Sequence, residues 1–430
     1  MSDAHRVVIT GLGAITPLGN AVSIYWHNLK AGASGLGTIT QVQGREELNQ
    51  KIAGEVKDFD PLKYFQERDL STLDRFSQFA MVAAREAIAQ AGLVFDRPLS
   101  LRTATIIGTG VGGQTTLDDA FRRLYFERKS RLFPLSIPKM MANAPASQIS
   151  MQHGLRGPAF VVASACASAT HAIGLAFHMV RSGTIDCAVT GGTEATVTFG
   201  TLRGWEAMRV MAPDACRPFS IDRKGLILGE GAAVFVLEPL EKARARGAQI
   251  FGEVAGFGMT ADAADLTAPD IDGMSRAMEG ALVDAKLAPQ DIQYVNAHGT
   301  GTAANDETET KALHRMFGDH ARKLAISSTK SMVGHALGAA GALELVATVM
   351  AVKEDIVPPT IGYLGLDPAC DLDYVPNEAR KMRVDAAISN SFAFGGLNAV
   401  LAVKKFACTL RRGRLAIVLQ ALVEIGADRG

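Results

Sequence analysis

Four short stretches of this chain set polar groups among glycines and other small residues: Cys166 in "SACASATHAIG", His298 in "VNAHGTGTAANDETE", Lys330 and His335 in "SSTKSMVGHALGAAGALE", and residues 390–398, "NSFAFGGLN". A thiol with only small neighbours leaves room for a substrate. At a strand-to-helix turn it would also feel the helix dipole, which lowers its pKa and favours the nucleophilic thiolate. Two imidazoles in Gly-rich strand exits can hold a carbonyl oxygen between them and stabilise an enolate as hydrogen-bond donors. Taken alone, Cys166 reads as a packing residue, because burial is the usual fate of a free cysteine. The two histidines in similar settings turn the reading toward an active site. Metal binding is the lesser reading, since His298 and His335 lie far apart in sequence and no HExxH or Cys/His cluster is present.

One motif points elsewhere. "GTGVGG", residues 108–113, fits GxGxxG after the strand-like "TATII" and suggests a dinucleotide-binding oxidoreductase. The nearest acid at the expected distance, Glu127 in "LYFERKSR", lies in a charged segment rather than at the end of a second strand. A tight glycine turn beside a cavity explains the motif equally well.

The elements that must position these groups alternate. Short β-branched runs, "RVVITGLG", "TATIIGTG", "AFVVASA", "DCAVTGG" and "AAVFVLE", read as buried strands, and "TLDRFSQFAMVAAREAIAQAGL" reads as a helix stopping at Gly92. From about residue 250 the grammar restarts with "IFGEVAGFG", a helix through "SRAMEGALVDAKL", then "IQYVNAHGTGT", "LAISSTKS" and "AAISNSFAFGGLNAVLAV". The class is α/β, and the restart suggests two similar halves, 1–255 with the cysteine and 256–406 with both histidines. Residues 407–430 read as an appended amphipathic helix.

Composition bounds the rest. With 430 residues and 48% hydrophobic content the chain can bury a large core, and 44 basic residues balance 44 acidic ones without a block of either sign. Neither nucleic acid nor a membrane surface is indicated. No signal peptide opens the sequence, and the most apolar run, "GALELVATVMAV", is short and carries a Glu, so no membrane span and a cytoplasmic location are expected. Five scattered cysteines, 166, 187, 216, 370 and 408, fit a reducing compartment.

Together, "SACASATHAIG", "CRPFSIDRKGLILGEGAA", "NAHGTGTAANDETE", "TKSMVGHALGAAGALE" and "NSFAFGGLNAVL" resemble the elongating β-ketoacyl-acyl-carrier-protein synthases, in order over roughly residues 5–406. The resemblance implies a thiolase-like fold, a five-layer α-β-α-β-α sandwich, as a homodimer. It makes Cys166 the acyl-accepting nucleophile, and His298 and His335 the pair that promotes malonyl decarboxylation. Backbone N–H groups of Cys166 and Phe394 match the oxyanion hole, and Phe394 also resembles the gate between acyl tunnel and malonyl site. Lys330 matches the lysine that organises the histidines, with Glu309 the acid expected to pair with it. Thr300, Thr302 and Thr267 correspond to groups holding the phosphopantetheine arm, and Val111, Ser136 and Trp205 to the acyl pocket. Asn296, Glu344, Ser389 and Asn398 match positions near a structural cation in some members, with a hydrogen-bonded buried cluster the plainer reading. No catalytic metal and no cofactor beyond the carrier's own arm are expected.

A Cys-His-His set also separates the chain from initiating synthases, which use Cys-His-Asn, and from thiolases, which need a second reactive Cys. Departures from the pattern are Ala169, Leu397, Asp265, Ser136 and Trp205, all bearing on the pocket. The partner expected is an acidic acyl carrier protein, met by Lys129, Arg131 and Arg209, although the basic pair common before "LDRF" is Ser71 and Thr72 here. The expected reaction extends an acyl thioester with a malonyl unit in fatty acid elongation. Its rivals are a specialised polyketide or nodulation-type synthase and a non-catalytic partner subunit.

Overall fold

The computed structural model describes residues 4–406, so the tail expected to be a helix, and Cys408 within it, lie outside the described residues. Ten strands join in one sheet: β1 (Val7–Ile15), β2 (Thr103–Gly108), β3 (Ala159–Val162), β4 (Cys187–Glu194), β5 (Gly231–Pro239), β6 (Gly252–Ala261), β7 (Tyr294–Asn296), β8 (Ala325–Ser327), β9 (Ala386–Ala393) and β10 (Leu397–Lys404). Their order is β8-β7-β9-β10-β6-β1-β5-β4-β2-β3. Outward from the central β1–β6 pair, each side therefore runs first, fifth, fourth, second and third strand of its own set. Directions repeat too: the first-to-fifth and fifth-to-fourth pairs are antiparallel, and the fourth-to-second and second-to-third pairs are parallel. The restart read at residue 250 is thus a repeated topology.

The helices that matter for the site are α1 (Arg75–Ala91), α2 (Ser168–Arg181), α3 (Phe199–Met208), α4 (Ile271–Ala285), α5 (Ala303–Phe317) and α6 (Ala340–Glu354). On one outer face α1 packs on β1 and β5, and on the other α4 packs on β6 and β10 with α5 beside it. Between the halves α2 and α6 pack on each other and on strands from both sides, which gives the five-layer sandwich of the thiolase-like fold. The sequence of α6 requires that place: every residue from Ala340 to Val352 is buried, as in a helix that is apolar all round.

Local chemistry sets the joints. Asp74 caps α1 by accepting the N–H of Phe76 at 3.2 Å, and Gly92 ends the helix at φ 63°, where the sequence puts the stop. The packing of α1 on β1 is close enough that a Cβ on Gly13 would stand 1.9 Å from the carbonyl oxygen of Ala83. The run "AAISNSFAFGGLNAVLAV" is a hairpin, β9 and β10, whose turn passes through Gly395 and Gly396 at φ 82° and 67°. No helix among the described residues is long and apolar enough to cross a membrane.

Candidate active site

Cys166 lies in the turn from β3 to α2, two residues before the helix starts. The N–H groups of Ala167 and Ser168 bond back to the carbonyls of Ser164 (3.1 Å) and Ala165 (3.2 Å), and Ala165 adopts φ 47°. That left-handed alanine costs about 1–2 kcal/mol, which the close-packed helix start must offset. The thiol is buried, and burial pushes it up to about 12, with Lys330 pulling down and the carboxylates of Glu344 and Glu194 pushing further up. The expected lowering by the helix dipole is therefore overturned. Desolvation wins, and the resting sulfur keeps its proton.

The proton has an acceptor in place. Nε2 of His335 stands 3.0 Å from Sγ of Cys166. Burial and then the charge of Lys330 hold both histidines far below the ordinary imidazole value, so both are neutral. The rings of His298 and His335 lie 5.4 Å apart and nearly perpendicular.

Lys330, 1% exposed, organises this centre. Its ammonium donates to the carbonyl oxygen of His298 at 2.6 Å and to Nδ1 of the same residue at 3.3 Å, and it pairs with Glu344. The donation to Nδ1 fixes the tautomer: Nε2 of His298 carries the proton, in a residue that lines the cavity. The acid expected beside Lys330 was Glu309; the structure puts Glu344 there instead. Glu309, on α5, accepts the N–H groups of His298 (2.9 Å) and Gly299 (2.8 Å), and so holds the histidine's loop rather than the lysine.

A cavity of about 440 Å³ opens over these groups. Of the residues singled out in the sequence, Cys166, His298, His335, Thr300, Thr302, Thr267, Trp205 and Phe394 line it. Thr300 and Thr302 bond each other at 2.9 Å, and the indole of Trp205 stacks on Phe394 at 5.8 Å. Val111 and Ser136 do not line the cavity of the single chain. Val111 is 42% exposed, and Ser136 sits in a separate depression with Arg123 and Lys139. Lys129 is exposed and pairs with Glu127 at 2.8 Å; Arg131 and Arg209 are exposed with no ion pair among the described residues. Arg209 follows Met208 at the cavity wall, as the left-handed cap of α3.

Two ligand questions meet specific groups. The Cys166, His298 and His335 donor atoms lie within 4.8 Å of one another, which distance in sequence had concealed. A cation held by them would stand beside the buried ammonium of Lys330, which opposes it. Of the four residues matched to a structural cation, Asn296 Oδ1, Glu344 Oε2 and Ser389 Oγ are buried without a partner among the described residues, which suits a hard cation; Asn398 instead donates to Asp262 at 2.6 Å.

The dinucleotide reading of "GTGVGG" fails on the same kind of accounting. Glu194, at the end of β4, accepts the N–H of Gly110 (2.6 Å) and of Val111 (3.3 Å), donors a pyrophosphate would need. Sequence reasoning passed over Glu194, although a lone acid closing an apolar strand is itself a signal of a buried, fully bonded carboxylate.

The comparisons agree with this geometry. The model of the "Beta-ketoacyl synthase, N-terminal domain" matches residues 4–243 and that of the "Beta-ketoacyl synthase, C-terminal domain" residues 251–364. The chain is 48% identical to "Nodulation protein E" of Rhizobium sp. (strain N33), over 93% of this chain and 99% of that one. It is 45% identical to "3-oxoacyl-[acyl-carrier-protein] synthase 2" of Synechocystis sp., over 94% and 99%. Among solved structures, a type II PKS acyl-carrier protein in complex with its ketosynthase bound to the hexaketide matches with a TM-score of 0.85 at 29% identity, over 94% of this chain and 100% of the matched one.

Proposed function

The chain belongs to the β-ketoacyl synthase family and is a condensing enzyme of the acyltransferase type, and from that premise we propose that it joins an acyl thioester to malonyl-acyl-carrier protein. The observation that carries the reading is the 3.0 Å contact between a protonated thiol and a neutral imidazole, inside a cavity that a second imidazole also lines.

In the first half-reaction Sγ of Cys166 attacks the carbonyl carbon of an acyl thioester as its proton passes to Nε2 of His335. The N–H groups of Cys166 and Phe394 receive the oxyanion, and the carrier leaves as a thiolate that solvent protonates, so His335 keeps the proton on Nε2. In the second, the bond from the malonyl methylene to its carboxylate breaks, CO2 departs, and the electron pair moves onto the thioester oxygen. Nε2–H of His298, kept protonated by Lys330 on the other side of the ring, donates to that oxygen together with His335. The enolate carbon then attacks the acyl-Cys166 carbonyl, the carbon–sulfur bond breaks, and Cys166 leaves with its proton returned from Nε2 of His335 as the chain grows by two carbons. The arm that delivers both groups is the phosphopantetheine of an acyl carrier protein, held by Thr300, Thr302 and Thr267. Lys129, Arg131 and Arg209 offer the acidic carrier its basic contacts.

The protein works as a homodimer. Phe121, Tyr125, Phe126, Ile137 and Met141 are all exposed on one stretch, and among the described residues β3 leaves a free sheet edge with Phe160 on it. Such a face, closed by a second copy, would complete the pocket to which Val111 and Ser136 were assigned.

The pathway has two readings. Similarity to a fatty-acid synthase and to a nodulation protein is nearly equal, and Trp205 stacked on Phe394 fits a specialised acyl pocket as well as a housekeeping one. A product-length profile of ordinary fatty acids would remove the specialised reading. The intact Cys166 and His335 contact argues against a non-catalytic partner subunit.

The test separates the roles. Cys166→Ala is expected to abolish acyl transfer while malonyl decarboxylation, followed as released CO2, persists; His298→Ala is expected to lose decarboxylation and keep the acyl adduct. Decarboxylation that needs the thiol but not His298 would refute the assignment.

A further inference from the structure

Glu194 is buried with 0% exposure, and no step above uses it. Four donors converge on its two oxygens. Oε1 takes the hydroxyl of Thr109 at 2.7 Å and the N–H of Val111 at 3.3 Å; Oε2 takes the N–H of Gly110 at 2.6 Å and of Gly338 at 2.9 Å. Three of these come from the loop after β2, in the first half of the chain. The fourth comes from the loop that carries His335, in the second half.

His335 itself is held by residues 227–229, its N–H donating to the carbonyl of Ile227 at 2.7 Å and its carbonyl accepting the N–H of Gly229 at 2.9 Å, so Glu194 fixes the stretch that follows it. Leu337 adopts φ 42°, and at Gly338 a Cβ would stand 2.1 Å from the nitrogen of Gly110 and 2.5 Å from Oε2 of Glu194. The two loops therefore touch backbone to backbone with the carboxylate between them. Two acceptor-only oxygens are needed, because backbone N–H groups cannot reverse to accept.

We propose that Glu194 is a positioning residue for the condensing reaction: its carboxylate locks the His335 loop to the loop of residues 109–111 and so holds Nε2 of His335 against Cys166. The inference rests on the proposed function for its kinetic consequence, but its geometric content stands apart from it. An amide or a neutral acid would present N–H or O–H where the donors converge. The hydroxyl of Thr109 can turn to accept, yet one oxygen ceases to be a pure acceptor, and the lock loosens without the core being emptied.

Burial pushes Glu194 up to about 7 against the pull of its four hydrogen bonds. It is neutral below that value and anionic above it, so the lock is complete on the alkaline side and weakens as pH falls. Cys166, on the turn before α2, is pushed up to about 12; His335, on its own loop, stays neutral; Glu230, on the segment entering β5, is held by Arg75 at 2.7 Å. The loop of residues 109–113 contributes none.

The experiment uses the full chain with Glu194→Gln, and reads two quantities. Without any carrier, alkylation of Cys166 by iodoacetamide at pH 8, located by peptide mass, should slow by about tenfold or more as His335 loses its aim. With malonyl-carrier protein, the wild-type decarboxylation rate should fall as pH drops from 8 to 6, while the variant runs at a lower rate that is flat over the same span. A variant alkylated at the wild-type rate overturns the proposal. If circular dichroism shows the variant unfolded, the wild-type profile decides, and a flat one overturns it. Wild-type protein that decarboxylates nothing would sink the functional reading alone, and the alkylation comparison would still judge Glu194.

Discussion

At the scale of the residue, the account turns on two opposed shifts. Burial raises the Cys166 thiol to about 12 and drives both histidines down, so the resting pair is neutral and the proton moves only when a carbonyl arrives to take the sulfur's electrons. A dipole-activated thiolate would have been the natural inference from small residues before a helix, and it failed because desolvation of a fully enclosed sulfur outweighs a half-charge at a helix end. The identities of Cys166, His298 and His335 were legible because each sits in its own Gly-rich strand exit. Which carboxylate faces Lys330 was not, because Glu309 and Glu344 are both buried acids on helices and only three-dimensional packing chooses between them.

At the scale of the element, α6 shows what such a choice costs. It is an apolar helix with one acid in its buried middle, Glu344, and that acid meets Lys330 where both are almost fully enclosed. Two ions are removed from water together, and neither tolerates the loss of the other. Glu344→Ala is expected to destabilise the protein by about 3–5 kcal/mol, read as a lower denaturation midpoint in urea, with loss of decarboxylation as Lys330 lets go of His298. A change below about 1 kcal/mol, the range of exposed pairs, would show that the ion pair does not hold the site. The single Glu in "GALELVATVMAV" was visible as an oddity in the sequence. Read as a buried charge, it calls for a cationic partner, while packing alone decides that the partner is Lys330.

At the scale of the whole molecule, the repeat of strand order about the β1–β6 pair brings one half's nucleophile against the other half's histidines, with α2 and α6 packed together beneath them. Most of the strands were readable as short apolar runs, because strands buried on both faces leave that mark, but the β9–β10 hairpin was read as one run and β3, read as buried, is half exposed. The meeting of distant motifs was not, since sequence separation carries no record of it; the same blindness made a metal site look remote and "GTGVGG" look like a nucleotide loop. The face around Tyr125 and Phe126, 75% and 85% exposed, is expected to pair two copies. Sedimentation should give twice the chain mass, and Phe126→Glu with Tyr125→Glu should shift it toward the single chain; a native monomer would contradict the homodimer. The central claim is that Cys166 takes an acyl group and gives it to a malonyl-derived carbanion, and intact-protein mass reads both events. Exposed to acyl-carrier thioesters of graded length, the protein should gain one acyl mass that maps to Cys166 and disappears when malonyl-carrier protein is added, with the extended product appearing on the carrier. No adduct at any length from the folded protein, or an adduct that the malonyl donor leaves in place, would contradict it.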